Sequence, residues 1–266
     1  MVARHGLAFV LLLAPSLATA AAVRYVGEAV DADGVPLYVE EHFLQPAADG
    51  GETRLVLYRC PGGEPFARKR LVRAGGSFVP AFELEDRRAG HREGIRADAA
   101  GVQVFAGSAV GDGPAPDRLR PQPDWVADAG FDAFIQDRRA ELEQGRTVRF
   151  EFLLPSEGRT RTLTVRKVRE GRVLGRAASL YRLELGAWYA FLAPHIDGWY
   201  DRDSGLLLRY QGISNIRAAD GGSLQARIDF PPARRSAGLD RDALAQAERA
   251  ELVDRCPSPA VATPAG

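Results

Sequence analysis

WYDRDSGLLLRYQGISNIRAADGGSLQARIDF, residues 199–230, is the stretch that decides the fold. Trp199-Tyr200-Asp201 runs into the turn Asp203-Ser204-Gly205, Leu206 to Ser214 follows, and Ala219-Asp220-Gly221-Gly222 turns the chain again. Leu224, Ala226, Ile228 and Phe230 then alternate inward until Pro231-Pro232 stops the strand. Consecutive strands joined by Asp/Gly turns pair antiparallel.

The same pattern fills the N-terminal third. Tyr38, Glu40 and His42 face one way and Val39, Glu41 and Phe43 the other, and Leu55 and Leu57 oppose Val56 and Tyr58 between Arg54 and Cys60. The turns are Asp31-Ala32-Asp33-Gly34, Ala48-Asp49-Gly50-Gly51 and Pro61-Gly62-Gly63. The meander is predicted to continue through Lys69–Arg73, Phe78–Leu84, Gly94–Arg96 and Val102–Phe105.

Gly107 to Pro123 is rich in Gly, Pro and Asp and marks an internal break. A helix is predicted from Asp128 to Gln144, capped by Asp128 and Gly145, with Phe131, Phe134, Ile135, Arg138 and Leu142 on one side. Val148, Phe150, Phe152 and Leu154 begin the next strands, and a short amphipathic helix from Asp240 to Leu252 closes the chain. Several strands are apolar on both faces, as in Phe152-Leu153-Leu154 and Leu206-Leu207-Leu208. A sheet wetted on one side alternates cleanly, so each face of these strands needs a cover: a second layer, a helix or a bound apolar ligand.

The first twenty residues read as a signal peptide. Arg4 precedes the apolar run Leu7–Leu13, and Ala18-Thr19-Ala20 supplies the small residues of a cleavage site. Residues 21–256 are then expected to form one β-rich domain, 257–266 a disordered tail, and the product to be periplasmic, with no transmembrane segment. Of the 35 basic residues all but Lys69 and Lys167 are Arg, and they are balanced by 35 acidic ones. With no field of one sign, neither nucleic acid nor an anionic membrane is recruited by net charge. Cys60 and Cys256, the only cysteines, are expected to pair in an oxidising compartment.

No nucleophile elbow, phosphate loop or dinucleotide fingerprint is present, and no enzyme or cofactor is expected. Glu40 and His42 share a strand face but lack further ligands, so they read as a solvated pair and no metal is expected. Asp31-Ala32-Asp33-Gly34 and Asp201-Arg202-Asp203-Ser204-Gly205 lack the acidic spacing of a calcium loop and read as hairpin turns. Around the Cys60 hairpin, Arg59, Arg68 and Lys69 are candidates to meet an acidic partner or lipid headgroup.

Taken together, Tyr25-Val26-Gly27 with its hairpin to Tyr38-Val39-Glu40, the Leu57-Tyr58-Arg59 hairpin, and the hairpins from Tyr200-Asp201 to Phe230 around Asp220-Gly221 resemble the periplasmic lipoprotein-carrier superfamily. The resemblance implies a strongly curved antiparallel half-barrel covered by helices over an apolar concavity. The Pro-rich break before Trp125 and the Cys256 extension depart from that pattern, and no binding residue carries over. The fold expected is mainly β, a curved antiparallel sheet or half-barrel with a central covering helix and a short C-terminal helix. Its expected function is non-enzymatic binding of a lipid or lipidated protein, with Phe131, Phe134, Ile135, Leu142, Phe150 and Phe152 as the lining. The alternative is an envelope structural or interaction protein with a packed core.

Overall fold

The computed structural model describes residues 21–98, 101–108, 117–120, 122–186, 195–218 and 220–257. Residues 1–20, expected as a leader, the segment beyond residue 257 and most of the Gly107–Pro123 break lie outside the described residues.

Among the described residues sixteen strands join in one sheet: β1 (Val23–Val30), β2 (Pro36–Pro46), β3 (Glu52–Arg59), β4 (Pro65–Arg73), β5 (Ala81–Asp86), β6 (His91–Asp98), β7 (Gly101–Ser108), β8 (Asp117–Leu119), β9 (Trp125–Val126), β10 (Val148–Leu154), β11 (Arg159–Val173), β12 (Arg176–Leu185), β13 (Ile196–Asp201), β14 (Leu207–Arg217), β15 (Ser223–Asp229) and β16 (Arg235–Ala237). The α-helices among the described residues are α1 (Gly130–Glu143) and α2 (Arg241–Arg249). The order is β8-β7-β6-β5-β4-β3-β2-β1-β15-β14-β13-β12-β11-β10-β9, with β16 beside β1. All pairings are antiparallel except β9 with β10.

This is a nested pair of meanders. The first hairpin strand, β1, has the last long strand, β15, on its far side, with Ala29 opposite Ile228. The sheet does not close, but it rolls. Asn215 on β14 donates to the Tyr58 hydroxyl on β3 at 3.1 Å, although four strand spacings separate them, about 19 Å in a flat sheet. Tyr38 and Ser214 likewise meet at 2.6 Å. The concave face therefore carries Tyr25, Ala29, Tyr38, Val56, Tyr58, Leu71, Phe82, Ile95, Ala226 and Ile228, and the convex face carries Phe43, Leu55 and Leu57.

Two-faced apolarity has a cover on each side. Phe152 and Leu207 join the cluster beneath α1, whereas Leu153 and Leu208 are buried in clusters on the other side of their strands. Close packing also explains Gly27, where an added Cβ would stand 2.5 Å from the Phe230 ring. On the convex face α2 sets Ala247 and Leu244 against Phe43, Leu55 and Leu57. Asp240 caps this helix by accepting from the Asp242 and Ala243 amides.

Three local expectations are corrected. Asp128 does not cap α1: the cap position is Ala129, with no side-chain cap, and Asp128 takes a positive φ of 42° with its carboxylate turned to Lys69. Phe78 to Pro80 is not strand; the Phe78 carbonyl leaves the ladder and accepts from the Ala127 amide at 2.9 Å, anchoring the entry to α1. Glu40 and His42 are not solvated, being 5% and 7% exposed on the concave face. Gly145 follows α1 at φ +79°, where a side chain would be strained, and its amide bonds the Leu142 carbonyl.

Candidate ligand-binding site

Helix α1 crosses the concave face over β9, β10 and β11. Its apolar residues fall where the 3.6-residue period puts them, and Phe134, Ile135 and Leu142 are buried with Phe150, Val165, Tyr181 and Leu183 of the sheet. Phe131 and Phe152 are partly buried in the same cluster, so all six residues expected to line a concavity are brought together. Their rings interlock: Phe134 stands 4.8 Å from Phe150 and 5.4 Å from Phe78, and Phe131 stands 5.9 Å from Phe150.

The packing is not complete. A cavity of about 280 Å³ opens in the seam between α1 and β10, lined by Phe78, Phe134, Val148 and Phe150 and rimmed by Pro123, Asp124, Arg138 and Arg149. It sits beside a sheet edge, because β9 covers β10 only at Glu151 and Phe152. A second cavity, about 310 Å³, lies between α2 and the convex side of β2–β5, where Val72 is 58% exposed. It is the larger of the two, lies outside the roll, and none of the expected lining residues reaches it.

Polar contacts tie α1 down along its other flank and at its end. Asp132 accepts from the Tyr200 hydroxyl at 2.8 Å, Gln136 donates to the Gly205 carbonyl at 2.5 Å, and Arg139 donates to the Arg202 carbonyl. Glu143 accepts from Lys167 and from the Tyr181 hydroxyl, each at 2.6 Å. Desolvation opposes its ionisation, but these two donors hold the Glu143 carboxyl down at about 2.

Beside α1 the concave face turns polar. His42 bonds Glu40 at 2.9 Å and stacks on Tyr25 with ring centroids 4.3 Å apart. Arg54 donates to Glu52 at 2.6 Å and stands 3.9 Å from Asp132; Lys69 pairs with Asp128 at 2.9 Å. Burial pushes His42 below its ordinary value, with the Glu40 hydrogen bond partly opposing. Desolvation by the surrounding protein raises Asp132, with Arg54 opposing. Among the described residues no group of three or more His, Cys, Asp or Glu is placed to hold a metal ion.

Arg59, Arg68 and Lys69 do not form one patch. Lys69 is buried on the concave face; Arg59 is held on the convex face by Glu41 at 3.0 Å, and Arg68 reaches the Ala250 carbonyl after α2. Cys60 and Cys256 stand at disulfide distance, S–S 2.03 Å, fixing the segment after α2 to the end of β3. The two Asp-rich segments are turns in which Asp31 accepts from Asp33 and Val35 amides, and Asp201 from those of Asp203 and Ser204. Sequence reasoning missed Phe78 and Asp132 as neighbours of the site, and Arg54, whose one signal was its place among the inward positions of β3.

No family model and no curated protein matches the sequence. Solved structures do. A β-barrel-like protein of the domain of unknown function DUF1849 from Brucella abortus is 9% identical with a TM-score of 0.46, over 79% of this chain and 98% of that one. The Pseudomonas aeruginosa MucA/MucB complex matches at 16% identity and TM-score 0.39, over 87% of this chain and 58% of that one. An outer membrane lipoprotein-sorting protein domain from Vibrio parahaemolyticus matches at 8% identity and TM-score 0.32, over 88% and 93% of the two chains.

Proposed function

We propose that this protein is a non-catalytic periplasmic binding protein that takes an apolar ligand, or the acyl part of a lipidated partner, between α1 and the concave face of the sheet. The observation that carries this reading is the seam cavity: four apolar side chains, Phe78, Phe134, Val148 and Phe150, line it at an open sheet edge. Its volume of about 280 Å³ is just below the usual range for small-molecule sites, about 300–1,000 Å³. It accepts the end of a chain as it stands, and a longer chain by outward movement of α1. Export requires the leader, and cleavage after Ala20 belongs to the same proposal.

The packed alternative has its own support, since Ile135 and Leu142 are fully buried and Phe150 nearly so. An acyl-binding assay separates the two. Delipidated protein is titrated with a fluorescent fatty acid, and Val148→Trp, which fills the seam, is compared with Val72→Trp, which fills the convex cavity. Binding by the wild type and by Val72→Trp, with loss in Val148→Trp, supports the seam. Absence of binding by the wild type supports the packed core, and loss only in Val72→Trp moves the site to the convex face.

A further inference from the structure

The polar cluster beside α1 is hard to reconcile with a purely apolar concavity. His42 and Arg54 have side chains only 9% and 8% exposed, and each holds one polar atom with no partner, His42 Nδ1 and Arg54 Nε. Buried groups of this kind are ordinarily satisfied, so an unpaired one calls for an explanation, and two side by side on one face are consistent with a further group. The two side chains are neighbours on one face: His42 faces Val56 across β2–β3, and Arg54 lies two residues along on the same side of β3.

A third unspent donor borders them. Arg235 lies over the Tyr25 ring at 4.7 Å, with no carboxylate partner among the described residues. Desolvation weakens its hold on its proton, Tyr25 partly offsets this, and repulsion from Arg54 adds to it. Two guanidinium groups thus share one half-buried corner. The carboxylates nearby are committed: Glu40 to His42, Glu52 to Arg54, Asp128 to Lys69, and Asp132 to Tyr200 and, at 3.9 Å, to Arg54 Nη1. Glu52 occupies Nη2 on the side edge of the Arg54 fork, leaving the Nε hydrogen for a second oxygen.

We propose that this corner is a headgroup subsite, in which Arg54 and Arg235 receive the anionic end of an amphiphile whose chain lies under α1. The inference rests on the acyl-binding reading given above and names the ligand class for it. A single turn of α1 separates the two parts. Asp132 faces the Tyr200 and Arg54 flank, while Phe131 and Phe134 pack on Phe150. Asp132 at the rim of the corner keeps 38% of its side chain exposed, while Arg54 behind it is 8% exposed, so a headgroup reaches Arg54 only with movement of this flank of α1. Tyr25 and Phe230, whose rings are 6.1 Å apart, wall it with apolar surface.

The test is competition for the fluorescent fatty acid by three twelve-carbon amphiphiles, dodecyl phosphate, dodecanoate and dodecanol, on the delipidated full-length exported protein. At least one anionic amphiphile is expected to bind about tenfold or more tightly than dodecanol, the scale of one charge-assisted hydrogen bond in a half-buried place. Which of the two is preferred distinguishes a phosphate-headed lipid from a fatty acid. Arg235→Gln, at a partly exposed position, is expected to remove most of the preference while retaining dodecanol binding; Arg54→Gln is expected to lose the preference too, with a fall in melting temperature from the loss of its buried ion pair with Glu52.

Equal binding of all three amphiphiles overturns the subsite and leaves the acyl reading standing. An anion preference undiminished in both variants also overturns it. Failure of the probe itself to bind overturns both readings.

Discussion

Truncating Phe134 to Ala probes the packing on which every reading of α1 depends. The side chain is 4% exposed and contacts three rings, with centroids 4.8 Å away at Phe150, 5.4 Å at Phe78 and 6.4 Å at Phe131. A buried Phe removes about 200 Å² from water, worth about 5 kcal/mol at about 25 cal/mol per Å², of which Ala retains a part. The cavity left by the truncation merges with the seam of about 280 Å³ instead of standing closed, so its neighbours can relax into it. The expected loss is therefore near the lower end of the range for buried Phe→Ala, about 3 kcal/mol. Urea unfolding followed by tryptophan fluorescence would read it as a fall in the midpoint at unchanged slope. A loss under about 1 kcal/mol, the range of ordinary surface changes, would refute the claim that α1 is packed on the sheet.

Four further outcomes are expected. Non-reducing peptide mapping of the exported protein should recover the Cys60 and Cys256 peptides linked; two freely alkylated thiols would detach the segment after α2. Replacing both by Ala should cost up to about 5 kcal/mol on the loop-entropy scale, the cysteines being 196 residues apart. Intact mass should place the mature N-terminus at Ala21, and a product retaining Leu7 to Leu13 would contradict the leader. His42, lowered from 6.5 chiefly by burial, favours the folded state when neutral. Its contribution is full above 6.5 and is lost as pH falls through the lower folded value, so wild-type stability should decline more steeply below pH 6.5 than that of His42→Gln. Parallel pH profiles would remove His42 from the account.

Legibility in the sequence followed the range of the forces involved. Alternation and Asp/Gly turns are local, and Tyr38 to Phe43, Arg54 to Cys60 and Leu224 to Phe230 therefore announced their strands. The stripe of Phe131, Phe134, Ile135 and Leu142 announced α1 and its buried face for the same reason. What the chain did not reveal depends on the roll of the sheet. Glu40 and His42 look solvated on an isolated hairpin, but Tyr25 stacks on the His42 ring and Phe230, at the end of the distant β15, stands edge-on to it at 5.9 Å. Asp128 had the residue type of a cap, but Lys69, fifty-nine positions earlier, took its carboxylate. Phe78 lay in a run that reads as strand, and its departure from the ladder is set by the distant Ala127 amide. The unspent atoms of His42 and Arg54 have no signature in the sequence at all.

The most direct test of apolar binding is native mass spectrometry of the protein purified from the cells that make it, without delipidation. The expected result is a species heavier than the disulfide-bonded mature chain by the mass of an acyl compound, released by organic extraction and reduced in Val148→Trp. A spectrum holding the bare chain alone, from protein that also fails to bind a fatty-acid probe, would contradict it.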